Sequence, residues 1–147
     1  MNLFDQLKAH TKNNFMMMSN FSLTQIGVIR SELKRIEDAP LSYKEGAPGA
    51  VVEIFPEYKD ALHRLRVGDE IVILTWLHLG RRDVLKTHPR NDPANPLTGV
   101  FSTRSPDRPN PIGLHHAKVL EINPGTLRID AIEAIDGTPV IDIKINF

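Results

Sequence analysis

The chain has 147 residues, 18 Lys and Arg against 18 Asp and Glu, a 41% hydrophobic share and no cysteine. That length suits one domain with its own apolar core, and the missing thiols exclude thiolate catalysis, cysteine-bound zinc and iron–sulfur chemistry. Zero net charge excludes a polycation, so nucleic-acid binding would have to rest on a local patch.

Residues 1–20 read as an N-terminal extension of unknown role, ahead of a folded domain over 21–147. NLFDQLKAH has the spacing of a short amphipathic helix with Leu3, Phe4 and Leu7 on one side, and TKNNFMMMSN breaks it. The three methionines Met16–Met18 offer an alternative start. The opening lacks the charged-then-apolar pattern of a secretion signal. The longest apolar run, Ile71–Leu77, is too short for a bilayer. A cytoplasmic location with no membrane partner is expected.

SLTQIGVIRS alternates enough for a strand ending near Arg30, and residues 31–49 are polar and rich in proline and glycine, hence loop. AVVEIF is a second strand. PEYKDALHRLRVG predicts the one helix. Pro56 suits its first position, Tyr58, Ala61, Leu62 and Leu65 share a face, and Gly68 stands where a C-terminal cap belongs. DEIVILTWLHL is a β-branched apolar strand, and GRRDVLKTHPRNDPANPLTG a polar loop. VFSTR predicts a short strand, HAKVLEI and TLRIDAIEAI two more joined by the turn NPG, and PVIDIKI the last. Asp136–Gly137 between two alternating runs is a hairpin signal. Strands that follow one another directly, with a single helix, predict a mainly β fold: a small antiparallel β-barrel with one short helix and long loops.

The common chemistries fail in turn. GAPGAVVEI places its glycines before a strand, where a dinucleotide fingerprint needs them after one. His115 and His116 are neighbours on a strand and point to opposite faces, so they cannot easily share an ion; no metal is expected. Ser102 and Ser105 lie in no nucleophile elbow, and a hydroxyl in such a loop more often stabilises a turn. What remains is FSTRSPDRPNPIGLHH, residues 101–116, whose prolines make it stiff. Its guanidinium groups either pair with nearby carboxylates or grip a polar ligand, for which a rigid loop has little entropy left to lose. Around it Arg81, Arg82, Lys86, Arg90, Arg104 and Arg108 face Asp83, Asp92 and Asp107, a local cationic excess. Asp136–Gly137 reads equally as a plain hairpin tip.

Taken together, GVFSTRSPDRPNPIGL, DGTPVIDIK, IGVIRS and TWLH resemble the TsaA-like (VirR-like) family of β-barrel methyltransferases, over about Gln25 to Lys144. The resemblance implies S-adenosylmethionine as methyl donor and a homodimer with the donor near the interface. It also implies tRNA as partner, the acceptor being the exocyclic amine of threonylcarbamoyladenosine beside the anticodon. It places the donor on Leu77, His78, Arg104, Leu114 and the turn Asp136, Gly137, Thr138 and Pro139. Arg104 is a natural partner for the donor's carboxylate. Asp136 and His78 are the candidate bases, and Arg81, Arg82, Lys86, Arg90 and Arg108 the candidate phosphate contacts. The family's glutamine in the loop after its first strand has Ser42 at the corresponding place, and the usual DIKPY ending reads DIKINF. Two alternatives keep the barrel: a methyltransferase acting on a small molecule, and a non-catalytic RNA-binding module.

Overall fold

The computed structural model describes residues 21–147; the expectations for residues 1–20 lie outside them. Eight strands run β1 (Gly27–Arg30), β2 (Ala50–Ile54), β3 (Glu70–Trp76), β4 (Lys86–Thr87), β5 (Thr98–Gly99), β6 (Ile112–Asn123), β7 (Thr126–Ile129) and β8 (Pro139–Ile145). Six of them close a barrel in the order β1-β2-β7-β6-β3-β8, every pairing antiparallel. β4 and β5 pair only with each other, inside the long loop after β3.

Alternation builds the interior. β3 turns Ile71, Ile73 and Thr75 inward, and its partner β6 answers with Ala117, His115 and Gly113 in register. With Ile29, Val52, Ile54, Val119, Leu127, Ile129 and Val140 these apolar side chains form one core. β-Branched residues suit this surface because their stiff side chains pack well on a pleated sheet.

Three local expectations change. The helix over Pro56–Leu62 is 3-10 instead of α, bonded three residues back from Tyr58 to Phe55 and from His63 to Asp60. So short a segment gains little from α-helical cooperativity. Its apolar side still docks, through Tyr58, Leu62 and Leu65, whereas Ala61 is exposed. Gly68, at φ 93°, serves a later turn, because Arg64 already takes a left-handed conformation at φ 70°. VFSTR is no strand: Val100–Ser102 makes a 3-10 turn whose Val100 carbonyl accepts from Thr103 and Arg108, leaving nothing for a sheet partner.

The third change positions the site. TLRIDAIEAI leaves the sheet at Ile129, although Ile132 and Ala134 stay buried. β7 and β8 sit on opposite sides of the ring and do not pair, so residues 130–138 cross from one to the other over the barrel mouth. Asp136–Gly137 is therefore no hairpin tip. Gly137, at φ 81°, turns the chain against the end of β1, donating its N–H to the Ile29 carbonyl.

Candidate functional site

The mouth crossed by residues 130–138 is the end where β1, β3 and β7 finish and β2, β6 and β8 begin. Antiparallel closure thus gathers residues far apart in sequence: Leu77–His78 after β3, the turn before β8, and the rigid loop leading into β6. The Leu77 N–H bonds the Pro111 carbonyl at 2.7 Å, locking the first of these to the loop.

The loop carries its own internal frame. The Arg108 guanidinium donates to the carbonyls of Val100, Thr103 and Ser105 at 3.0–3.1 Å. The Ser105 hydroxyl accepts from the Asp107 N–H, a turn-stabilising role. The Asp107 carboxylate and the Arg81 carbonyl exchange bonds with Arg81 and Arg108 N–H groups, tying the loop to the segment after β3. Arg82 donates to the Pro109 carbonyl and to Asn110, and lies 5.3 Å from the centre of the Trp76 ring. Arg104 is exposed and makes no hydrogen bond or ion pair among the described residues.

Of the candidate phosphate contacts, then, Arg108 and Arg82 hold the loop itself, Arg81 pairs with Asp83 at 3.1 Å, and Arg90 with Glu45 at 2.8 Å. Lys86 is exposed on β4 with no ion pair among the described residues. The two candidate bases differ as sharply. Asp136 Oδ1 accepts the Ser31 N–H at 3.0 Å and Oδ2 pairs with Lys34 at 3.0 Å. The Ser31 bond first, then Lys34 and Arg30, hold this carboxyl below its ordinary range, so it is a poor proton acceptor that fastens the crossing segment to β1. His78 is exposed, with its ring free of partners among the described residues.

Thr138 is buried, its hydroxyl on the Ile135 carbonyl, and Pro139 opens β8 opposite Val28. Nothing lies within 4 Å of where a side chain on Gly137 would begin, so the turn presents open backbone. Leu114 alone points away from the barrel, on the outer face beside Leu74, with Trp76 and Ile112 one pair further along. Ser42 caps the 3-10 turn Tyr43–Glu45, its hydroxyl accepting the Lys44 N–H.

One buried chain of polar groups escaped the sequence reading. Thr75 Oγ1 lies 2.8 Å from His115 Nε2, and His115 Nδ1 lies 2.7 Å from Glu133 Oε1. Because a carboxylate only accepts, Nδ1 carries a proton toward Glu133, and in the neutral ring Nε2 accepts from the Thr75 hydroxyl. Burial acts most strongly on Glu133 and would raise its carboxyl. The His115 bond, the residue's own backbone N–H and the nearby Arg104 together outweigh it and hold the group below the ordinary glutamate range. The available signal was a histidine at an interior position of an alternating strand, where apolar residues are the rule; Glu133, between the buried Ile132 and Ala134, stands at an outward position of its own segment and gave none.

No helix among the described residues is long and apolar enough to cross a membrane. Residues 28–146 match the model of the tRNA-methyltransferase O N-terminal domain. A relative from Methanothermobacter thermautotrophicus, named "Probable S-adenosyl-L-methionine-binding protein", is 44% identical over 119 residues, 81% of this chain and 85% of that one. A crystal structure of TrmO is 30% identical with a TM-score of 0.70, and that of TrmO from Pseudomonas aeruginosa 27% identical with a TM-score of 0.69. Each alignment covers 87% of this chain, but only 58% and 56% of the solved chains, which are longer. The expected barrel agrees with these structures, and the chain belongs to the tRNA-methyltransferase O (TsaA-like) family through that family's N-terminal domain.

Proposed function

We propose that this chain is an S-adenosylmethionine-dependent methyltransferase whose donor sits at the barrel mouth and whose acceptor is the exocyclic amine of threonylcarbamoyladenosine in tRNA. The observation that carries the reading is the gathering, at one end of the barrel, of Leu77–His78, the Arg104 loop and the Asp136–Pro139 turn. The residues present fit the donor. The Arg104 guanidinium, unpartnered among the described residues, suits its carboxylate, and the open backbone at Gly137 lets a flat ring system approach closely.

S-Adenosylmethionine, when bound, supplies an activated methyl group on a cationic sulfur. The chain's own residues then position and receive. The loop, stiffened by its prolines and by Arg108, holds its donors and acceptors in place at small entropic cost, and positioning is the main source of rate in an in-line displacement. The amine's proton has to leave, and His78, exposed beside the donor segments, is the residue free to take it. Asp136 keeps the turn in place. The outer face of β3 and β6, with Leu74, Trp76, Ile112 and Leu114 half-exposed, is the surface we assign to a homodimer contact, which would bring Leu114 beside a donor site.

A second reading has an observation in its favour. Four of the five basic side chains expected on phosphate are engaged within the chain, which favours a small-molecule acceptor. The Arg81–Asp83 and Arg90–Glu45 pairs lie at the surface, where ion pairs are weak and exchange readily for phosphate, so tRNA stays first. The test is transfer of labelled methyl to tRNA carrying threonylcarbamoyladenosine against an unmodified transcript. Label in the modified tRNA alone supports the proposal. Donor binding without transfer to either overturns the tRNA acceptor and promotes the small molecule.

A further inference from the structure

The polar chain Thr75–His115–Glu133 ends in an oxygen with nothing to bond. Glu133 Oε2 is buried and has no hydrogen-bond partner among the described residues. Its sister oxygen is held by His115, whose side chain is 4% exposed, and His115 is held in turn by Thr75, which is fully buried. The carboxylate therefore cannot swing away to water without giving up its bond to His115. A buried carboxylate oxygen left unpaired is costly, and such a group in a native fold calls for a partner.

What surrounds it says which partner. The Thr75–His115 contact packs against Gly113 and the Leu77 side chain, since a side chain on Gly113 would meet Thr75 Oγ1, His115 Nε2 and Leu77 Cδ2 in that order. Arg104, on the loop leading into β6 and assigned above to the donor's carboxylate, is among the charges that favour ionised Glu133. Through His115 and Thr75, Glu133 is thus tied to the Leu77 segment assigned to the donor, and it and Arg104 offer the site a carboxylate oxygen and a guanidinium that have no partner among the described residues. Such a pair of opposite charges matches one chemical group, the zwitterionic end of an α-amino acid. The guanidinium takes its carboxylate and the glutamate its ammonium.

We infer that Glu133 is a donor-binding residue, whose free oxygen accepts the ammonium of the methyl donor's amino-acid end while Arg104 takes the carboxylate, with His115 and Thr75 as positioning residues that hold the glutamate in place. This rests on the donor assignment proposed above. It makes the site selective for nucleosides that carry an intact amino acid.

Calorimetric titration of the full chain tests it with three probes: S-adenosylhomocysteine, the analogue lacking only its amine, and the analogue lacking only its carboxylate. Wild type is expected to bind the deaminated probe about 10- to 100-fold more weakly, the worth of one charge-assisted hydrogen bond. Glu133→Gln is expected to lose a similar factor on S-adenosylhomocysteine and almost none on the deaminated probe. Arg104→Gln is expected to lose on both of these and not on the probe without a carboxylate. Equal losses for Glu133→Gln on the first two probes would reduce Glu133 to a structural part and overturn the inference. So would equal affinity of wild type for those two probes, a comparison that needs no variant to fold. If wild type binds none of the three, the donor assignment itself falls and the inference with it, an outcome distinct from either of the others.

Discussion

Gly113→Ala tests the packing under the site. No left-handed backbone forbids alanine there, so only space opposes it. The new Cβ would overlap Thr75 Oγ1 and lie 2.7 Å from His115 Nε2 and 3.1 Å from Leu77 Cδ2. Contacts below 3 Å must open, and Thr75, fully buried, has no solvent to move into. Overpacking a core costs about 1–3 kcal/mol. Displacing the Thr75–His115 bond adds about 1 kcal/mol, so the loss should be about 2–4 kcal/mol. For a chain of this size each kcal/mol lowers the melting temperature by about 2–4 °C, giving a fall of about 4–16 °C. Thermal unfolding by circular dichroism measures it, with Gly99→Ala as the control, since nothing lies within 4 Å of that position. A Gly113→Ala protein melting within about 2 °C of wild type would refute the claim that the Thr75–His115 contact excludes a side chain here.

Other expectations follow from the same geometry. Arg108→Lys removes the forked contact to three carbonyls, so amides across residues 100–108 should exchange hydrogen faster while the barrel amides keep their protection; unchanged exchange would contradict the frame assigned to Arg108. Asp136→Asn keeps an acceptor for the Ser31 N–H and loses the Lys34 ion pair, so methyl transfer should fall less than about 10-fold, whereas His78→Gln should cost about 100-fold or more. The reverse order in initial rates would restore Asp136 as the base. Glu133, lowered when folded, stabilises the fold fully above the glutamate range of the unfolded chain, and that contribution drains away as pH falls through its lower folded value. Urea unfolding from pH 7 to pH 3 should therefore show a steeper acid loss in wild type than in Glu133→Gln. Equal slopes would mean that His115 and Arg104 do not favour the charged form.

Alternation made most of the barrel legible: the β3 and β6 runs and the PVIDIKI strand follow from period-two patterning, and the rigid loop from its prolines. The misreadings share a cause. Residues 130–135 keep a strand's alternation because the barrel mouth buries every second one, and a local pattern cannot show whether a pairing partner exists. Asp136–Gly137 has hairpin chemistry because it does turn, but it turns onto β1 instead of back on β7. VFSTR was lost to bonds from Thr103 and Arg108 that only the folded loop reveals. At the site, Arg104 and Leu77–His78 were reachable through the family motifs, whereas Glu133 lies three residues ahead of the motif turn and becomes visible only when His115 is seen beside it.

Closure of the ring has a consequence in time. Gly27 on β1 pairs with Val140 on β8, partners more than a hundred residues apart along the chain. Contacts of that span are made late, because the loop entropy they cost is compensated only once the intervening strands are in place. The crossing segment and its turn take their final positions in that same step. A chain still emerging from the ribosome would hold most of its hydrophobic core before it held a binding site. Ligand affinity should then be the last property gained on refolding and the first lost when the β1–β8 seam opens.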